Sequence, residues 1–277
     1  MSRRNKYHTY PYLVLLIIHT ALLIITFYKH KDQRRLFMLL ISNISLAYLF
    51  EYFIVNIFSA YLYKPSLLKN RTIDNIAGAI FSQAIFVPFT AIFITAFQLG
   101  WYGKVVFSLY FTVVEMLFVR IGVYTHHWWK TLYTFLLLPF YFWISDKWYQ
   151  HLKQGNPFVL SFSLFHLIFT TDINLLFLKA IRRKIKFGIG HFHSWREHFI
   201  LVPLYSFFLS FLTTWFTKEN KGLSKIWIIS FRVLMDFILI KLNWLKLNKD
   251  SILSNLPFHL FMTAASHYYR KLVYKNP

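Results

Sequence analysis

Four acidic side chains lie within long apolar stretches of the sequence: Glu51, Glu115, Asp172 and Asp236. A charge near the centre of a bilayer costs about 3 kcal/mol or more, so it normally faces other helices, a partner or water. Such a carboxyl can bind a cation, transfer a proton or hydrogen-bond between helices. These four residues are therefore the first candidates for function.

Two basic residues accompany the acids. Arg232 lies four residues before Asp236, one turn away on the same helix face, which predicts an ion pair extended by Asn243. Arg120 lies about 140° round the helix from Glu115, so we expect it to meet Glu51 or Asp172 from another helix. The candidate ligand pathway comprises Glu51, Glu115, Arg120, Asp172, Arg232 and Asp236. The alternative is that these side chains only hold helices together.

Other chemical motifs are weak. Three residues separate His193 from Glu197, whereas an inverted zinc-protease motif needs two, so the segment His191 to His198 is interpreted as interfacial. The chain has no cysteine, phosphate-binding loop or nucleophile turn. We therefore expect no metal and no cofactor, and enzymatic activity is not favoured.

The composition indicates a membrane protein. Hydrophobic residues make up 57% of the chain and charged residues 15%, against about 25% charged in soluble domains. The net charge of +21 is scattered between apolar runs. This pattern favours contact with anionic lipid headgroups and disfavours nucleic-acid binding. It identifies no protein partner.

The apolar runs predict an all-α fold, a polytopic transmembrane helix bundle forming a single membrane domain over residues 1–277. A helix needs about 20 apolar residues to cross the bilayer. Eight spans are predicted, at residues 11–28, 36–63, 76–99, 104–125, 129–146, 157–179, 199–217 and 225–245. Residues 251–268 are interpreted as a C-terminal interfacial or re-entrant helix, with a ninth span as the alternative.

Basic residues predict the orientation. With eight spans the loops on the side of both termini carry 17 Lys and Arg residues, and the opposite loops carry 10. Loops rich in Lys and Arg stay in the cytoplasm. Both termini are therefore predicted to be cytoplasmic, in a multi-pass protein of the cell membrane.

Two spans share a pattern, because Glu51 and Glu115 are each followed nine or ten residues later by a small residue and a tyrosine. The segment Glu115-Met-Leu-Phe-Val-Arg-Ile-Gly122, continued to His127-Trp128-Trp129, resembles a family of uncharacterised multi-pass membrane proteins from spore-forming Firmicutes. The resemblance covers about residues 40–150. It implies a small polytopic membrane protein and supplies no activity. A fainter likeness links Glu51 and Glu115 to the membrane lycopene-cyclase fold, whose paired Glu is missing here.

Three functions stay open. The first is transport or sensing of a small polar solute or ion, with the buried carboxylates along one water-reachable cavity. The second is a membrane-embedded enzyme acting on a lipid or isoprenoid, with Glu51 or Glu115 as general acid at the end of an apolar cavity. The third is an accessory protein whose charges are all paired.

Overall fold

The computed structural model describes residues 6–190, 192–219, 222–247 and 252–275. It is 80% helical and divides into two compact units, Met1–Asn156 and Pro157–Pro277. The boundary falls at the short connection between two helices, where the sequence has no linker. The single membrane domain stays a prediction.

Unit 1 contains six main helices and a two-stranded ribbon. Two of the helices are extended by a wider π-helical segment. In chain order the elements are α1 Thr9–Lys29, α2 Gln33–Glu51 with the π segment Tyr52–Ile57, β1 Tyr61–Tyr63, α3 Arg71–Ile80, the π segment Phe81–Phe86, α4 Val87–Ala96, α5 Gly100–Arg120, β2 Tyr124–His126 and α6 Thr131–Lys153.

Unit 2 is a bundle of four helices with its own ribbon. Its elements are α7 Pro157–Ile181, β3 Ile185–Phe187, α8 Trp195–Glu219, α9 Ser224–Lys241, β4 Leu245–Leu247 and α10 Leu256–Tyr274. Ser194 and Glu197 start α8 as a capping box: Glu197 N donates to Ser194 Oγ, and Ser194 N donates to Glu197 Oε2 at 2.7 Å.

Among the described residues, six helical segments are long and apolar enough to cross a membrane. They are Thr9–Lys29, Gln33–Ile57, Arg71–Ala96, Gly100–Arg120, Pro157–Ile181 and Trp195–Glu219. The other two predicted spans, at 129–146 and 225–245, correspond to α6 and α9. Both are helical but more polar, with Asp146 and Lys147 in α6 and the Arg232 and Asp236 positions in α9. That these two also cross stays a prediction.

One local motif occurs four times in the part of the chain that the structure describes. A helix ends at a residue with left-handed backbone, a strand begins two residues later, and another helix follows. The left-handed residues are Ser59, Gly122, Arg183 and Asn243, with φ of 50°, 76°, 55° and 56°. In three of the four, the next backbone N–H donates to a carbonyl five residues back, as in a Schellman cap; after Ser59 it donates six residues back.

Three of the strands correct the predicted boundaries, since the apolar runs 36–63, 104–125 and 225–245 each end in a strand and not in helix. Within each unit the two strands pair antiparallel, so that Tyr61 lies opposite His126 and Ile185 lies opposite Leu247. The inner face of the unit 1 ribbon is aromatic, with Tyr61, Tyr63 and Tyr124 buried. The inner face of the unit 2 ribbon consists of Ile185, Phe187, Leu245 and Leu247.

The C-terminal helix α10 is a full member of the unit 2 bundle. Near its start Asn255 accepts a hydrogen bond from Lys179 at the end of α7, and further along Tyr269 meets Thr171 at 2.8 Å. It therefore runs antiparallel to α7. Buried Phe258, Met262 and Val273 add to the core. That this helix is interfacial or re-entrant stays a prediction.

Candidate functional site

Unit 1 contains a partly open cavity of about 380 Å³. Its wall is mostly aliphatic and aromatic side chains from α1, α2, α5 and α6, closed at one end by the inner face of the ribbon. The polar atoms in this wall come from the following residues: Tyr12, Tyr61, Tyr63, Ser82, Gln83, Glu115, Tyr124, Trp129, Thr134 and Tyr141. The volume falls within the range of about 300–1,000 Å³ typical of small-molecule sites.

Glu115 supplies the formal charge in the described part of this wall. Its Oε1 lies 2.8 Å from His126 Nε2 on β2, and its Oε2 accepts a hydrogen bond from the Thr134 hydroxyl on α6. Trp129 Nε1 donates to Thr134 Oγ1 at 2.9 Å. The Glu115 carboxyl group is thus fixed at the cavity surface by His126 on the ribbon and Thr134 on α6, and Trp129 in the connection between them holds Thr134 in place.

Glu51 lies behind the wall, at the junction of α2 with its π segment. Its Oε2 accepts hydrogen bonds from Tyr61 Oη at 2.7 Å and from Gln83 Nε2 at 2.9 Å, and both of these partners face the cavity. Burial raises the pKa of the Tyr61 phenol well above its ordinary value, and the Glu51 carboxyl raises it further. The phenol therefore stays protonated and donates a hydrogen bond to Glu51.

Unit 2 gathers the remaining candidate acids into a buried polar network. Arg232 donates from Nη2 to Asp172 and from Nε to His259 Nδ1 at 3.2 Å. His259 Nε2 lies 2.7 Å from Asp236. Tyr205 and Asn255 also donate to Asp236. Every one of these side chains is buried.

These contacts change the partners that the sequence predicted. Arg232 pairs with Asp172 across helices, and His259 stands between Arg232 and Asp236, so the predicted direct pair within α9 is wrong. Arg120 is exposed at the end of α5, while Glu51 and Asp172 have the other partners described above. Asn243 does not extend a stripe on α9, because it forms the left-handed turn after that helix.

Several side chains at these sites were missed. His126 is not among the candidates from the sequence, because its contact with Glu115 depends on a turn that the sequence does not predict. The segment around Asn255 and His259 did carry a signal: these polar residues interrupt an apolar run, as the other buried groups do. Tyr205 and Thr134 gave no signal, since isolated hydroxyls are common in membrane helices.

The histidine segment after β3 has a structural role. His193 Nε2 lies 2.9 Å from the Asn243 carbonyl, and His198 Nδ1 accepts the Phe187 N–H at 3.0 Å. His191 lies outside the described residues. Within the described ranges no three His, Asp or Glu side chains are grouped as metal ligands.

The helices fit a multi-pass, membrane-embedded protein. Comparison with protein-family models, with curated proteins and with solved structures gives no match. The likeness to the Firmicutes family stays a prediction.

Proposed function

We propose that this multi-pass membrane protein binds an apolar, lipid-like molecule in the cavity of unit 1, with the molecule's polar end at Glu115. The observation that carries the proposal is a cavity with apolar walls and one oriented carboxyl group. Apolar walls desolvate a hydrocarbon chain, and a few placed polar groups set its orientation. A ligand with a hydrocarbon chain in the cavity and a hydroxyl group that donates to Glu115 would meet both requirements.

The distribution of the acids favours this proposal over transport of a polar solute. Solute transport was expected to bring Glu51, Glu115 and Asp172 into one cavity. Glu115 lies in the cavity wall, Glu51 is behind it, and Asp172 is outside the lining and bound to Arg232. The paired charges of unit 2 match what was expected of helix-joining groups.

A second candidate is an enzyme acting on a lipid or isoprenoid, with Glu115 as general acid. It is favoured by the contact between Glu115 and His126, because the imidazole can return a proton to the carboxyl after the carboxyl has given one up. If this candidate is correct, cells carrying Glu115→Gln should accumulate an unconverted lipid that mass spectrometry of lipid extracts detects.

The binding proposal is tested with two neighbouring valines on α5. Val114 lines the cavity, whereas Val113 is 47% exposed on the outer surface of the helix. Val114→Phe fills the cavity, and Val113→Phe is its control. The probes are farnesol and oleyl alcohol, and the measurement is the rise in unfolding temperature of the purified protein in detergent.

We expect both alcohols to raise the unfolding temperature of the wild type and of Val113→Phe but not of Val114→Phe. Glu115→Gln should weaken binding by about tenfold, since a hydrogen bond to a charged group contributes about 1.5–3 kcal/mol. An unchanged response in Val114→Phe would refute binding in this cavity.

A further inference from the structure

The cavity of unit 1 has exposed wall residues between α2 and α6. Phe50 on α2 is 38% exposed, and Leu137 and Phe140 on α6 are 42% and 55% exposed, although all three line the cavity. The described wall residues of α1 and α5, such as Tyr12 and Phe111, are buried or only partly exposed. The cavity therefore opens to the outer surface beside the three exposed residues, between α2 and α6.

Two groups of contacts bound this opening. At one end Asn43 Nδ2 donates to Ser145 Oγ at 2.9 Å, and Tyr141 Oη donates to the Asn43 carbonyl at 2.9 Å. At the other end the Phe50 ring meets the Trp129 ring, with the two centroids 6.1 Å apart. The distance along α2 from Asn43 to Phe50 is about 10 Å, at the usual rise per residue. The opening therefore lies in the side of the helix bundle.

Both helices depart from regular α-helical hydrogen bonding beside the opening. On α2 the π segment Tyr52–Ile57 begins two residues after Phe50, and on α6 Pro139 lies directly before Phe140. Proline has no N–H to donate to the carbonyl one turn earlier, which weakens the helix at that point. Sharp bends in helices occur mainly at proline and at π-helical turns. The helices that frame the opening can therefore bend most easily where the opening lies.

The surface around the opening is apolar. Residues 131–145 of α6 contain no charged side chain, and Gln33–Ile57 is apolar enough to cross a membrane. Phe53, Leu136 and Trp143, close in sequence to the residues at the opening, are exposed as well. Apolar side chains gathered on an outer surface mark contact with a membrane or a partner. In a membrane protein we expect this surface to face lipid tails.

We propose that the opening between α2 and α6 is a lateral entrance through which a lipid of the bilayer reaches the cavity without passing through water. The inference rests on the binding proposed above and adds the source of the ligand. Leu137 lies one turn after Thr134, which donates to Glu115. The polar end of a molecule that enters here therefore arrives beside the carboxyl group, while its chain stays out of water throughout.

The experiment closes the opening with one introduced thiol, since the chain has no cysteine. The test variant is Phe140→Cys, because Phe140 is the most exposed of the three residues at the opening. It is treated with N-(1-pyrenyl)maleimide, whose ring system is large, or with the small N-methylmaleimide. The control is Met116→Cys on α5, since Met116 is 58% exposed and is not a residue of the wall.

The probe is farnesol, and the measurement is the unfolding temperature of the purified full-length protein in detergent. A pyrene group attached to Phe140→Cys before farnesol is added should prevent the rise in unfolding temperature. The same group attached after farnesol is bound should retain the ligand, so that the raised temperature survives transfer into detergent without farnesol. The methyl adduct and both adducts of Met116→Cys should gain and lose the shift freely.

Two results would overturn the entrance. The pyrene adduct of Phe140→Cys could gain and lose the farnesol shift as fast as the methyl adduct, or the pyrene group could expel farnesol that was bound first. A wild type that farnesol does not stabilise would refute the binding proposal and the entrance together. A stabilised wild type with either of the two results above would refute the entrance alone.

Discussion

At the scale of single residues, the buried charges of unit 2 are held by partners from different helices. The Arg232 and Asp172 side chains are 1% and 0% exposed, so water cannot solvate either charge. Removing one member of a buried pair costs about 3–5 kcal/mol, whereas replacing both by apolar groups can be neutral. The network is therefore sensitive to single changes and tolerant of matched ones.

Arg232→Met should lower the free energy of unfolding in detergent by about 3–5 kcal/mol. Denaturant titration of the purified protein measures the change. Lys225→Met is the control, because Lys225 is exposed near the start of the same helix. Adding Asp172→Leu to Arg232→Met should restore part of the stability. Equal stability of the two single variants would contradict a structural role for the network.

The acids themselves were predictable and their partners were not. Glu51, Glu115, Asp172 and Asp236 stand out because a charge within an apolar run must be explained. A pair such as Arg232 with Asp172 joins helices 60 residues apart, and one sequence contains no information about which helices are neighbours. Spacing along one helix pointed instead to Asp236.

At the scale of elements, the two ribbons present different inner faces to their units. Both units repeat the same turn and strand after a helix, but tyrosines fill the inner face in unit 1 and aliphatic side chains with one phenylalanine fill it in unit 2. The Tyr61, Tyr63 and Tyr124 rings pack against one another, and Tyr61 also donates a hydrogen bond to Glu51. All three tyrosines form part of the cavity wall.

Gly78 on α3 controls the position of β1. A Cβ added at this residue would lie 2.3 Å from Tyr63 Cβ, so Gly78→Ala must displace the strand and, with it, the cavity wall. We expect a loss of stability of about 1–3 kcal/mol from overpacking and a weaker response to farnesol. Thermal unfolding with and without the probe measures both effects.

Gly222→Ala is the matched control, since an added Cβ there meets nothing within 4 Å. If Gly78→Ala behaved like this control, the contact between α3 and β1 would not determine the position of the cavity wall.

The helices were predictable because apolar runs of the necessary length leave few alternatives. The strands were not predictable, because Tyr61–Tyr63 and Leu245–Leu247 continue the apolar runs of the helices before them. Gly122 and Asn243 are residue types that readily adopt a left-handed conformation. Ser59 and Arg183 are not, so two of the four turns had no sequence signal.

At the scale of the whole molecule, α10 changes the expected topology of the C-terminal part. Because α10 runs antiparallel to α7 and packs in the same bundle, we expect it to cross the membrane with α7. The end of α10 then lies on the opposite side from the β3–β4 ribbon. With α10 crossing, Arg270, Lys271 and Lys275 move to the other side and weaken the charge asymmetry that predicted cytoplasmic termini.

Single cysteines test this topology cleanly, since the chain has none. Lys184→Cys marks the ribbon end of unit 2, and Lys275→Cys marks the end of α10. In intact cells a membrane-impermeant maleimide should label only one of the two variants, and the other should react only after the membrane is opened. Labelling of both from one side would support the interfacial helix predicted from the sequence.

The hollow in unit 1 also determines how the protein responds to hydrostatic pressure. Compression favours states in which poorly packed volume is eliminated, and a partly open cavity of about 380 Å³ lies in unit 1. Collapse of this cavity should therefore be favoured as the pressure rises. A ligand bound in the cavity would make unit 1 less compressible.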